Sequence, residues 1–231
     1  MLKECYERVL EQVATACAKC GRAENSVKLL AVSKFHSFEE MLALHNLGQE
    51  AFGESYIQEA QSKIAAFREV EAKPIFHFIG HLQTRKAPQA AGNFQLIHSL
   101  DSAKLAQALE KALSKEDQHQ AVLIEVNIGA EEQKSGVAQS KLSELAHFVL
   151  EHCPHLSLQG LMCMPPFEAE GELARPYFAS LRELRERLAK DLGLELPELS
   201  MGMSADFPWA IYEGATIVRV GTALFGPRPA K

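Results

Sequence analysis

The chain has 231 residues, of which 47% are hydrophobic and 23% charged, and its formal net charge at pH 7 is −6. The acidic balance argues against a general nucleic-acid binder, because contacts to phosphate groups need a basic face. The sequence has no run of about 18 apolar residues and no apolar signal core behind Met1, so we expect no membrane span and a cytoplasmic location.

The cysteines number five, and an odd count in an unsecreted chain indicates free thiols. Cys17 and Cys20 have the spacing of half a zinc site, but the sequence has no second pair. They also lie in a helical pattern with no strand before it, unlike a thioredoxin-type redox motif. We therefore assign no function to this pair.

Short apolar runs alternate with longer amphipathic stretches along the chain, a rhythm typical of βα units around a parallel sheet. An opening amphipathic helix is predicted over residues 2–20, and Gly21 ends it. The predicted strands are Val27–Val32, Glu50–Gly53, Ile75–Ile79, Phe94–Ser99, Ala121–Ile128, Leu158–Met162, Leu199–Met203 and Ile217–Val220.

Helices are predicted between these strands. After the first strand, Ser37 and Glu40 form a capping-box pattern at a helix start. The later helices are predicted at Tyr56–Val70, through a basic segment ending at Lys86, and at Ala103–Leu113, Leu142–Glu151, Arg175–Leu192 and Phe207–Tyr212. Eight strands, each but the last followed by a helix, predict an α/β fold in the form of a (β/α)8 TIM barrel.

We predict a single barrel domain over residues 1–231, with an N-terminal helix at residues 1–20. A doubly wound open sheet also alternates strands and helices. The count of eight strands and the absence of a Gly-x-Gly-x-x-Gly turn after the first strand favour the barrel. Functional residues of such barrels lie at the carboxyl ends of the strands.

Lys34 directly follows the first predicted strand, after Ala31, Val32 and Ser33. A partly desolvated lysine has a lowered pKa, so its amine becomes nucleophilic toward carbonyl groups and forms Schiff bases. The alternative is a lysine that simply emerges into solvent after a strand, and spacing alone leaves both open. Lys134 follows the fifth strand and is a second candidate amine, although the spacing favours a solvated loop lysine.

The ends of the seventh and eighth strands offer a phosphate site, as the corresponding loops often do in these barrels. Ser204 and Thr222 carry hydroxyl donors, and Gly221 lets backbone N–H groups approach a phosphate closely. Arg219 alternates with Val218 and Val220, so we expect it inside the barrel. A buried arginine needs a partner, which is either a core ion pair or a ligand.

His77 and His81 have ligand-type side chains at the end of the third strand. A metal site is disfavoured, because Gly80 breaks the helix that an i, i+4 histidine pair would need. We therefore predict no metal at this position.

Seven segments in order carry a resemblance to a known family. They are Leu29–Lys34, Phe52–Glu59, His77–Gln83, Lys134–Gly136, Gly160–Met162, Leu199–Ser204 and Val218–Gly226. With these segments the chain resembles the pyridoxal phosphate homeostasis proteins (the YggS/PROSC family), whose barrel is like the N-terminal domain of alanine racemase. The match runs nearly from end to end.

The resemblance implies a set of contacts to pyridoxal 5′-phosphate (PLP). It implies Lys34 as the PLP lysine and Arg219 opposite the pyridine nitrogen. Ser204, Gly221 and Thr222 would surround the phosphate, and Ser55 and Met203 would be further contacts. Two positions depart from the family pattern, since Ser55 replaces an asparagine and His36 a second lysine.

Proteins of this family look like carriers or regulators of PLP, with apo PLP enzymes as possible recipients and no established catalytic reaction. The alternative is a PLP-dependent amino-acid racemase. Racemisation needs an acid/base on each face of the substrate α-carbon, and the racemase fold takes the second group from an additional domain. The chain ends at Lys231, after the eighth predicted strand, so we expect no such domain and a monomer, or at most a weak dimer.

Overall fold

Eight parallel strands form a closed barrel in the computed structural model, which describes residues 1–226. Each strand pairs with the next along the chain, and the last pairs with the first, so that Ala31 lies opposite Val220. The strands are β1 (Lys28–Val32), β2 (Ala51–Glu54), β3 (Ile75–Phe78), β4 (Leu96–Leu100), β5 (Gln120–Val126), β6 (Leu156–Cys163), β7 (Glu198–Ser200) and β8 (Ile217–Val220). The predicted TIM barrel is confirmed.

Helices surround this barrel. They are α1 (Leu2–Lys19), α2 (Phe38–Asn46), α3 (Ile57–Glu69), α4 (Ala87–Ala90), α5 (Ala103–Leu113), α6 (Leu142–His152), α7 (Arg175–Leu192), α8 (Phe207–Tyr212) and α9 (Thr222–Phe225). The predicted N-terminal helix is α1, whose apolar stripe buries Val9, Val13 and Cys17. Leu10 belongs to the same predicted stripe but stays partly exposed. Ser37 and Glu40 form the expected capping box at the start of α2.

Three segments differ from the prediction. The basic helix through Lys86 is a 3-10 turn, Thr84–Lys86, and α4 follows with a proline in its first turn, where the missing N–H does no harm. The short helix α9 was not predicted. Strand β7 ends at Ser200, earlier than predicted, because Gly202 adopts a φ of +91°, which L side chains rarely accept.

The barrel interior has an apolar layer and a polar layer. Leu30, Leu96, Leu123, Met162 and Ile217 pack together as a separate interior cluster, because every second residue of a barrel strand faces inward. The buried polar side chains of His98, Glu125 and Arg219 also face inward. Each lies two residues beyond a member of the apolar cluster on the same strand, toward the carboxyl end. The inward-facing side chains therefore change from apolar to polar toward the mouth of the barrel.

Among residues 1–226, no helix is both long enough and apolar enough to cross a membrane. The single domain predicted over residues 1–231 includes residues 227–231, which lie outside the described part of the chain.

Candidate functional site

Lys34 lies two residues beyond the end of β1 and is half-buried. The turn that carries it is held by α3. Phe35 has a φ of +68°, a left-handed conformation that is uncommon for a residue with a side chain. Its N–H donates to Glu59 Oε1 at 2.6 Å, and its ring lies 5.3 Å from the ring of Tyr56. These contacts fix the backbone directly after the lysine.

A buried polar network lies behind this turn. The Lys63 ammonium donates to the Ser33 carbonyl at 2.7 Å, to Glu54 Oε1 at 2.8 Å and to Glu59 Oε1 at 2.6 Å. The Ser33 hydroxyl also donates to Glu54 Oε1, at 2.6 Å. Burial raises the pKa of the Glu54 carboxyl, and the Lys63 ammonium opposes that rise. The network ties the ends of β1 and β2 to α3, so it holds the Lys34 turn in place.

The predicted phosphate turn lies next to the end of β1. The Ser204 hydroxyl accepts from the backbone N–H groups of Gly221 and Ala223, at 3.3 Å each. A Cβ on Gly221 would lie 3.3 Å from the Cβ of Val32, so the glycine lets this turn approach β1 closely. Two backbone N–H groups and a hydroxyl thus converge beside the strand that leads to Lys34.

Thr222 and Met203, two further predicted site residues, flank this turn. Thr222 is exposed at the start of α9. Met203 is also exposed, and its backbone N–H donates to Asp206 Oδ1 at 2.6 Å. Both are near the turn, and within residues 1–226 neither side chain makes a hydrogen bond that would fix its role.

Arg219 points into the barrel as predicted and is only 4% exposed. Its guanidinium donates to the Ser200 hydroxyl at 2.7 Å and to the Cys163 carbonyl at 2.9 Å. Within residues 1–226, no carboxylate lies within 4.0 Å of the guanidinium, so the core ion pair considered as one alternative is not formed. The Arg219 guanidinium has only donors, so inside the barrel it can bind a ligand that offers an acceptor.

A chain of hydrogen bonds continues from Arg219 along the barrel interior. Ser200 Oγ lies 2.8 Å from His98 Nδ1, and His98 Nε2 lies 2.9 Å from His77 Nδ1. Burial lowers the pKa of His77 to about 4 and lowers that of His98 well below its usual range. Both imidazoles are therefore neutral at pH 7, and each has one ring N–H.

The arginine limits the direction of this chain. A guanidinium can only donate, so the Ser200 oxygen accepts from Arg219, and its hydroxyl hydrogen is available for His98 Nδ1. With the Ser200 hydrogen directed there, His98 would carry its proton on Nε2 and donate to His77 Nδ1, and the His77 proton would lie on Nε2. Sequence reasoning missed this chain, because Ser200 and His98 are 102 residues apart and belong to different strands.

Glu125 is a buried carboxyl at the inward face of β5, 3% exposed. Burial and the nearby Asp101 carboxylate raise its pKa to about 7, while Arg219 acts in the opposite direction. An acid whose folded pKa lies above its unfolded pKa of about 4.3 binds its proton more tightly when folded. The free energy of unfolding therefore falls as pH rises through this window.

We predict that Glu125→Gln stabilises the apo protein at high pH. At pH 8 the free energy of unfolding should rise by up to about 3 kcal/mol, the equivalent of a pKa difference of between two and three units. The gain should shrink toward zero as the pH falls below about 4, where the carboxyl holds its proton in both the folded and the unfolded state. Urea unfolding at several pH values measures the difference, and the exposed Glu151→Gln serves as control. A gain that does not change with pH would contradict the raised pKa.

Other predicted residues have different surroundings from those expected. Lys134 is not a solvated loop lysine, because it pairs with Glu131 at 2.6 Å and donates to the Pro165 carbonyl at 2.9 Å. His77 lies inside the barrel, whereas His81 is exposed, 3.5 Å from Asp101. No group of three or more metal-ligand side chains is found in residues 1–226.

The two departures from the family pattern lie on either side of the site. Ser55 follows β2 and is half-buried, and its carbonyl would lie 2.3 Å from a Cβ on Gly80. Only a glycine permits that approach between the ends of β2 and β3. The His36 ring stacks on Phe225 at 4.3 Å, so it packs against α9.

The fold and this arrangement of strand ends define a class of proteins. The chain matches the family of the alanine racemase N-terminal domain over residues 8–229. It is 46% identical over 225 residues to a pyridoxal phosphate homeostasis protein of Aquifex aeolicus, with 97% of each chain covered. The chain belongs to the pyridoxal phosphate homeostasis protein family.

Solved structures agree with this assignment. PipY of Synechococcus elongatus PCC7942, with PLP bound, is 33% identical and superposes with a TM-score of 0.81, over 93% of this chain and 100% of that one. An alanine racemase from Corynebacterium glutamicum has a TM-score of 0.67 at 19% identity, over 97% of this chain and 62% of that one. The second likeness shows the shared fold alone.

Proposed function

We propose that this chain binds PLP through a Schiff base on Lys34 and acts in intracellular PLP homeostasis without catalytic turnover. One observation carries the proposal. Lys34, the Gly221 turn and Arg219 are brought together at the carboxyl ends of two paired strands, β1 and β8. The family assignment and the PLP-bound relative support the same cofactor.

The donors at the mouth fit the chemistry of PLP. The phosphate would replace the Ser204 hydroxyl as the acceptor for the N–H groups of Gly221 and Ala223, and the hydroxyls of Ser204 and Thr222 would lie beside it. Backbone N–H groups in such a turn are a common phosphate cradle. Ser55 and Met203 remain proposed flanking contacts.

Each of two side chains has a distinct role in this proposal. Lys34 offers a primary amine to an aldehyde. Arg219 offers a permanent donor to the pyridine nitrogen and keeps that nitrogen unprotonated. When bound, PLP supplies an aldehyde that condenses with amines and a ring that accepts electron density. With its nitrogen unprotonated, the ring accepts electron density less well. A weaker electron acceptor suits a carrier of PLP better than a broad-range catalyst.

We expect the purified protein not to racemise or transaminate common amino acids at the rates of typical enzymes, about 1–10³ s⁻¹. A racemase is the second candidate, and likeness of fold supports it. Chiral chromatography of alanine, serine and glutamate after incubation with the PLP-loaded protein tests the point, with Lys34→Ala as control. Turnover in the enzyme range that the control lacks would favour the racemase.

We also propose a cytoplasmic monomer whose partners are PLP and apo PLP enzymes. The free cysteines suit a reducing compartment. The proposed site is built from strand ends of one barrel, so it needs no second subunit. Light scattering at low micromolar concentration should give the mass of one chain, and a stable dimer there would contradict the prediction.

A further inference from the structure

A cavity of about 760 Å³ opens at the end of the barrel opposite the mouth. Its wall includes the amino-terminal residues of several strands, Lys28 of β1, Ile75 of β3 and Ile217 of β8. Leu10 of α1 closes one side. The volume lies within the range of small-molecule sites, about 300–1,000 Å³.

His77 lines this cavity and is only 6% exposed. Its Nδ1 is occupied by His98. Its Nε2 has no hydrogen-bond partner within the described residues, and donation from the Ser200 hydroxyl to His98 would place the His77 proton there. The floor of the cavity thus presents the His77 donor among apolar side chains such as Leu30 and Leu96.

Other polar residues also line the cavity, and they include Tyr6, Gln49, Gln95 and Gln159. Gln49 is buried as well, but its side chain already donates to the Leu29 and Ala51 carbonyls.

The charges around the cavity restrict what it can hold. Glu24 and Glu50 lie at the rim, and Glu198 is paired with Lys28, so the excess charge is negative and disfavours an anion. A protonated amine has no lone pair for the His77 donor. A neutral carbonyl or hydroxyl oxygen satisfies both conditions.

We propose that this cavity is a second ligand site, which takes a small uncharged molecule with an apolar body and one acceptor oxygen bound to His77 Nε2–H. The site is separate from the proposed PLP site, from which it is divided by the interior apolar layer of Leu30, Leu123 and Met162. Because the two sites are separate, binding to the cavity can be tested without PLP. The hydrogen-bond chain through His98 and Ser200 links His77 to Arg219.

The proton positions are tested first. In protein labelled with ¹⁵N at histidine, the ring shifts of His77 and His98 should both be those of the neutral form protonated on Nε2. Protonation of His77 on Nδ1 at pH 7 would overturn the proposal, because Nε2 would then be an acceptor and the cavity would lack its donor.

Three probes of the same shape test the ligand class: 3-methylbutanamide, 3-methylbutanoate and 3-methylbutylamine. The amide should shift the His77 Nε2 signal with saturation. The acid and the amine should bind at least about tenfold more weakly. The carboxylate has acceptor oxygens but carries a negative charge, and the ammonium has no acceptor. Equal binding of all three, or no saturable shift with the amide, would overturn the proposal.

Two variants assign the binding to His77. His77→Leu keeps an apolar floor without the donor and should weaken amide binding about tenfold, the effect of one lost hydrogen bond. His77→Gln keeps an acceptor for His98 and an amide donor for the cavity, so it should restore binding even if His77→Leu folds poorly; for both variants the amide is followed by ligand-observed NMR. Unchanged binding in folded His77→Leu, or no recovery in folded His77→Gln, would count against the site.

Discussion

Replacing Lys34 with alanine is expected to abolish covalent attachment of PLP. The lysine is the amine at the end of β1, next to the Gly221 turn, and its backbone is fixed by the contacts of Phe35 and Ser33. Borohydride converts a Schiff base to a stable secondary amine. Peptide mapping of the reduced wild-type protein should therefore find the pyridoxyl group on Lys34, and the variant should carry none.

Lys134→Ala is the matched control for this experiment. Lys134 is held by the Glu131 carboxylate and the Pro165 carbonyl, and both contacts would have to break before its nitrogen could attack an aldehyde. The control should label as the wild type does. A pyridoxyl group found mainly on Lys134, or on neither lysine, would refute the assignment of Lys34.

Arg219→Glu is expected to weaken PLP binding strongly and to shift the absorbance of the bound cofactor. A carboxyl group there would hold a proton on the pyridine nitrogen, the reverse of what the guanidinium does. The new side chain would also face the Cys163 carbonyl and the nearby Glu125 and Asp206 carboxyls. An unpaired buried charge costs about 3 kcal/mol or more, so the apo protein should melt earlier as well.

Arg219→Ala separates the two effects, because it removes the contacts without reversing the charge. It should weaken PLP binding less than Arg219→Glu does. The apo melting temperature and the PLP dissociation constant of the folded fraction should be measured for both variants. If both lose stability but bind PLP normally per folded molecule, Arg219 is a structural residue and lies outside the site.

The sequence predicts the barrel well because its periodicity is strong at every strand. Lys34, Ser204 and Gly221 could be selected from the sequence alone, since a barrel places functional residues at strand ends and each of them follows a strand. Strand β7 was predicted too long, because an apolar run does not reveal the left-handed backbone of Gly202.

The polar interior could not be predicted in the same way. Lys63 looks like a surface lysine of an amphipathic helix, yet it is buried against Glu54 and Ser33. His98 and Ser200 become neighbours only when the barrel closes. The partners of such residues come from distant strands and helices. A single sequence carries no local signal for these contacts.

Closure of the barrel by β1 and β8 has a consequence for the order of events during synthesis. The lysine emerges from the ribosome early, but the strand that carries Arg219 and precedes the Gly221 turn comes almost 200 residues later. Pairings between such distant segments form slowly. The proposed cofactor pocket can therefore exist only after β8 has left the ribosome and paired with β1, so PLP would be captured by a barrel that has already closed.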